Sequence, residues 1–126
     1  RHKATTLAAT SMKKDIKGIM KICEEKGAGL VFINLPEPVF TGHQVTGIFG
    51  DLLNKHLYEE NHVDSIYASI AGQTGIPYFE LTGGFKALPD KSSYLYRYDG
   101  HPTAKGYHEI AVNIGKFLIK RNLIKQ

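Results

Sequence analysis

One cysteine, Cys23, is all the thiol the chain has. It cannot close an internal disulfide, so a disulfide-stapled scaffold is excluded and the redox compartment stays open. No apolar run approaches the ~20 residues that cross a bilayer as a helix. The opening "RHKATTLAAT" lacks the apolar core of a signal peptide. Internal repeats and low-complexity segments are absent. The basic excess is small, a formal +4, and no aromatic or Gly-rich binding motif accompanies it, so nucleic acid is not an expected partner. Lys13, Lys14, Lys17 and Lys21 fall on one predicted helix, opposite its apolar stripe, and a solvated face accounts for them.

What is present suits one domain. The 126 residues are 42% hydrophobic and 22% charged, ordinary for a globular protein. A chain of this size buries roughly two thirds of its unfolded surface. Leu7, Ala8, Met12, Ile16, Ile19, Met20 and Cys23 recur at three- and four-residue steps, predicting an amphipathic helix that stops at Gly27 and packs Cys23 as a core thiol. The run Leu30 to Ile33 in "GLVFINLPEP" reads as a buried strand ended by Pro36 and Pro38. Val45, Ile48, Phe49, Leu52, Leu53 and Leu57 form the stripe of a second helix. Asn61 is placed to cap a third, carrying Val63, Ile66, Tyr67 and Ile70 and ending at Gly75. "IPYFEL" is the second strand; Thr82, Gly83 and Gly84 then turn the chain into a loop from Phe85 to Tyr98 with no clear period. Thr103 is placed to cap a last helix with the stripe Tyr107, Ile110, Ala111, Ile114, Phe117 and Leu118. The end, "KRNLIKQ", reads as frayed or solvent-facing.

Strands alternating with helices predict an α/β protein whose parallel sheet is covered on both faces. Two strands make a poor sheet alone. Further strands are therefore expected from a missing part of the chain or from a partner, and the incomplete edge predicts self-association.

The chemistry concentrates in "YDGHPTAKGYHEI", Tyr98 to Ile110. Sites in open parallel sheets form where strands end and loops cross to helices, and the loop after the second strand delivers Asp99 and His101. A histidine near neutral pKa can take a proton from a serine hydroxyl and return it to a leaving alcohol. A carboxylate on its other ring nitrogen fixes the tautomer and stabilises the imidazolium. The residues alone admit a second reading, a helix-capping loop with an incidental histidine. In that reading the chain is a non-catalytic α/β interaction module.

"DGHPTAKGYHEIA" resembles the last sequence block of the SGNH hydrolases, the GDSL esterases and lipases, through Asp99, His101, Pro102, Gly106 and Tyr107. "GIPYFELTGGFKAL" is similar to that family's last strand and following loop, and "GAGLVFINLPEP" to the strand before it. The resemblance covers essentially the whole chain but only the C-terminal part of the family's domain. It implies a three-layer α/β/α flavodoxin-like fold with a parallel sheet. It also implies a serine ester hydrolase in which His101 is the general base and Asp99 orients it, with no cofactor and no metal. The implied substrate is a small-molecule or carbohydrate ester. The Asp-x-His spacing, with only Gly100 between, is shorter than the family's commonest form. It is similar to relatives that add or remove O-acetyl groups on polysaccharide, which leans toward acetylated carbohydrate and a bacterial cell-envelope or secreted setting. The family's Gly-Asp-Ser nucleophile block and Gly-x-Asn-Asp oxyanion block have no counterpart. "FGDLLN" has Leu52 where the serine would stand, and helical periodicity assigns that leucine to the core. Ser11, Ser65 and Ser69 fall on predicted helices. Ser92 and Ser93 precede Asp99 in the loop, and none of the five follows a strand on a tight turn. The isolated chain is thus expected to be nearly inactive.

Other residues keep two readings. His56 and His62, with Glu59 and Glu60, could hold a metal or be surface residues. His43 could line a cleft or sit in a surface loop, and His108 is a helix-surface residue or a polar neighbour of the site. Tyr94, Tyr96 and Tyr98 are a sugar-stacking platform or a short packed extended segment. Glu80 is assigned to an exposed strand position.

Overall fold

The computed structural model describes residues 2–36, 38, 41–42 and 62–124. The expected helix from Val45 to Leu57, the Asn61 cap, His43, and the His56, Glu59 and Glu60 cluster with the His62 side chain lie outside the described residues. The chain divides into two compact units, one of Arg1–Phe32 and Val63–Tyr78, the other of Ile33–His62 and Phe79–Gln126.

In the first unit, α1 runs His2–Glu25 and α2 runs His62–Thr74. Gly27 ends α1 with φ +64°. Its N–H donates to Glu24 O (3.1 Å) and that of Ala28 to Cys23 O (2.8 Å), so two carbonyls of the last turn are satisfied by a Schellman cap. Gly75, with φ +75°, closes α2 by the simpler αL cap, a single bond from its N–H to Ala71 O at 2.8 Å. Lys13 Nζ on α1 donates to Gln73 Oε1 on α2 at 2.6 Å. The α1 stripe has the expected period, but none of the described α1 side chains is buried. Met12, Ile16, Met20 and Cys23 are half-buried, so Cys23 is not the packed core thiol the periodicity suggests; Ala8, Leu7 and Ile19 are exposed. Burial in this unit centres instead on Ile70, Ala71 and Ile76. The Phe32 ring tilts against Tyr67 and Tyr78, at 5.4 and 5.2 Å between centroids.

Strands β1 (Phe32–Asn34) and β2 (Tyr78–Glu80) pair as a two-stranded parallel sheet among the described residues. Phe32 N–H donates to Pro77 O and Leu81 N–H to Asn34 O, bracketing the pair. The protein is therefore mixed α/β. The run Leu30 to Ile33 is half-buried, not buried as its unbroken hydrophobicity predicts, because a strand pair has no interior strand.

The second unit holds the better-packed core. Leu81, Phe85, Leu95 and Ile110 are buried together, with Ile33, Phe79, Leu88, Tyr94 and Ile114 against them. Each such side chain contributes about 1.5–3 kcal/mol by leaving water. The segment Thr82–Lys86 is a short helix, α3, rather than a turn. Its glycines disfavour helix, but Leu81 and Phe85 are buried at either end, and the Glu80 carboxylate accepts the Gly83 N–H and satisfies one orphan donor of the first turn. A single 3₁₀ turn follows at Lys91–Ser93, within the stretch expected to be irregular. Helix α4 spans Ala104–Lys120 and buries Gly106, Ile110 and Phe117, the last stacked on Phe79 with centroids 4.7 Å apart. Ile114 and Leu118 are half-buried, but Tyr107 and Ala111 of the expected stripe are exposed. Lys120 to Ile124 are exposed, a solvent-facing segment as expected, and α4 is capped there. Asn122 takes φ +54°, its N–H donates to Ile119 O, and that of Leu123 donates to Leu118 O.

Candidate active site

A small hairpin between the 3₁₀ turn and α4 presents the sequence's acid–histidine pair. Leu95 bridges Pro102 in antiparallel fashion. Thr103 N–H donates to Tyr94 O at 2.9 Å and Tyr96 N–H to His101 O at 2.8 Å, on either side of that bridge. Pro102 thus occupies a position where no N–H is required of it. Residues 97–100 close the hairpin with Gly100 N–H on Tyr96 O at 2.9 Å, and Gly100 takes φ +72°, a conformation that favours glycine.

The hairpin is fixed to α4 in two ways. Thr103 Oγ1 accepts from Gly106 N–H at 3.2 Å as the helix N-cap and donates to Ser93 O at 2.7 Å. Gly106 then lies so close to the hairpin that a Cβ there would fall 2.1 Å from Tyr94 O. Leu95 is fully buried beneath, while Lys105 Nζ sits 4.3 Å from the centre of the Tyr94 ring.

On this support Asp99 and His101 meet. Asp99 Oδ2 is 3.2 Å from His101 Nδ1, and Oδ1 accepts the His101 backbone N–H at 3.0 Å. The carboxylate therefore grips both backbone and ring of the same residue. The backbone N–H is the largest cause holding the Asp99 carboxyl below its ordinary pKa of 3.8, desolvation opposes it, and the ring contact adds to the lowering. With Nδ1 engaged, Nε2 is the nitrogen available to take a proton. The His101 side chain is 72% exposed and that of Asp99 49%. The Nδ1 contact is at the long end of hydrogen-bond distances.

The chain matches no protein-family model, no curated protein and no solved structure.

The remaining candidates fall into place locally. Ser92 Oγ donates to Asp90 Oδ1 at 2.6 Å and Ser93 Oγ to Asp90 Oδ2. The bonds from Ser92 and then Ser93 lower the Asp90 pKa, so their partner is a weak base. Among the described residues neither serine bonds to a histidine, the partner of an activated nucleophile, and both tie down the 3₁₀ turn. His108 is exposed on α4. Glu80 is half-buried and serves α3, not the exposed position expected from alternation. Among the described residues no group of three or more His, Cys, Asp or Glu is placed to hold a metal, and no helix is long and apolar enough to cross a membrane. The hairpin pairing is the feature the sequence reading missed. Its only signal was the two-residue alternation of Tyr94, Tyr96 and Tyr98, ahead of a proline that argues against a strand.

Proposed function

We propose that this chain carries the general base and its orienting acid for a serine ester hydrolase, with His101 and Asp99 in those roles. The carrying observation is the Asp99 carboxylate 3.2 Å from His101 Nδ1 on a hairpin anchored to the N-terminus of α4. In this proposal the chain is the C-terminal part of a three-layer α/β/α, flavodoxin-like domain of SGNH type. The nucleophilic serine and the oxyanion donors come from residues outside these 126. The serine Oγ attacks the ester carbonyl as His101 Nε2 takes its proton, and Asp99 stabilises the imidazolium. Collapse of the tetrahedral species expels the alcohol, which leaves with that proton. Water then attacks the acyl-enzyme, again giving its proton to Nε2, and the carboxylic acid departs as the serine is reprotonated. The acceptor side of the ester is a small molecule or a carbohydrate.

Two experiments test this. A fluorophosphonate probe on the 126-residue chain should leave the intact mass unchanged, since the nucleophile is elsewhere; a stoichiometric adduct contradicts that part. In the protein that also carries the serine block, His101→Ala should lower kcat/KM for p-nitrophenyl acetate by about 10³- to 10⁴-fold. Full activity in that variant would remove His101 from the mechanism.

A second reading, a non-catalytic interaction module, draws on the exposure of Leu7, Ile19 and Ile22 along α1. It predicts concentration-dependent self-association of the chain in light scattering, which Leu7→Lys and Ile22→Lys abolish. Self-association that survives both substitutions points to the sheet edge instead, and a monodisperse monomer at all concentrations counts against self-docking through this face.

A further inference from the structure

We infer that Tyr96 and Tyr98 form an aromatic platform that seats a pyranose ring of the substrate beside His101. As an acceptor subsite it rests on the hydrolase reading; as a sugar-binding surface it does not. The hairpin register places the platform. Leu95 and Pro102 are bridged, and Leu95 is fully buried, so that pair faces the core. Side chains alternate along a strand, so the next pair, Tyr96 and His101, faces the other way, toward solvent. Their backbones are joined by the 2.8 Å bond from Tyr96 N–H to His101 O. The Tyr98 ring stacks on that of Tyr96, with centroids 6.1 Å apart and 8° between planes. Both rings are exposed, Tyr98 at 71%.

Tyr98 stands largely in water, a placement that burial does not explain. Tyr94, two residues before Tyr96, is half-buried with its ring edge-on to Phe85 at 6.2 Å, the ordinary use of a tyrosine. Tyr98, with the exposed part of the Tyr96 ring beside it, instead offers an apolar ring face. A pyranose has the matching chemistry, a C–H face to lie on a ring and equatorial hydroxyls to meet phenolic oxygens. An ester carried on that sugar would lie on the same solvent face as His101.

The test is binding by the 126-residue chain, which needs no catalysis. Tyrosine fluorescence and NMR shifts are followed on adding xylohexaose, cellohexaose or chitohexaose. At least one should bind with a millimolar dissociation constant and shift the Tyr96, Tyr98 and His101 resonances. Tyr98→Ala should weaken that binding about five- to tenfold, and Tyr98→Phe should retain most of it because the ring face stays. Tyr98 is exposed, so circular dichroism should be unchanged in both. Binding that survives alongside an esterase unaffected by His101→Ala would end the hydrolase reading and leave the platform standing. No binding of any of the three sugars, or binding indifferent to Tyr98→Ala, overturns the platform.

Discussion

Helix α4 and helix α1 are both long and amphipathic, yet α4 buries Ile110 and Phe117 while α1 leaves Leu7, Ile19 and Ile22 exposed. The period of an apolar stripe says that a face exists; what covers it depends on close approach by another element. At α4 that approach is visible in Gly106, which has no room for even a methyl group against Tyr94 O. At α1 the corresponding glycine, Gly18, has nothing within 4 Å of where its Cβ would be. The Asp99–His101 pair is carried by the tightly approached helix and its hairpin.

The two glycines give the sharpest contrast. Gly106→Ala should destabilise the chain by about 3 kcal/mol or more, because a backbone carbonyl has to move. Gly18→Ala should be neutral or stabilise by up to about 1 kcal/mol through helix propensity. Denaturant unfolding of both variants reads this directly, and equal effects would erase the distinction. Next in size, Ile110→Ala should cost about 2–4 kcal/mol, whereas Leu7→Ala or Ile22→Ala should change stability by less than about 0.5 kcal/mol. A large loss at Leu7 would mean that the face is covered in solution. Thr103→Ala, which removes both the cap and the bond to Ser93 O, should cost about 1–2 kcal/mol. The smallest effect is electrostatic. The Asp99 pKa is depressed in the folded chain, so its contribution is present above the ordinary value of 3.8 and lost only as pH falls through the lower folded value. A carbon-detected NMR titration should place the Asp99 midpoint below 3.8, and a midpoint at or above it would mean that the grip on His101 is absent.

Much of the frame was legible where a local device speaks for itself. Gly27 and Gly75 end helices because only a left-handed residue closes them so, and Thr103 caps α4 because its hydroxyl can reach the third amide beyond it. The strands were legible as apolar runs, but not their half-burial, which depends on how many strands share the sheet. Helix α3 was hidden because Thr82, Gly83 and Gly84 carry turn propensity that burial of Leu81 and Phe85 overrides. The pairing of Asp99 with His101 was legible as an expectation from chemistry. The hairpin holding them apart from the core was not, since a single bridged pair containing a proline leaves almost no pattern in the sequence.

The measurement that bears most directly on the account is the tautomer of His101. Nitrogen NMR of the neutral imidazole should find the proton on Nδ1 facing Asp99 and a lone pair on Nε2, and Asp99→Asn should shift the population toward Nε2–H. A wild-type ring protonated on Nε2, or one indifferent to Asp99→Asn, would contradict the assignment of Asp99 and His101 as an oriented base.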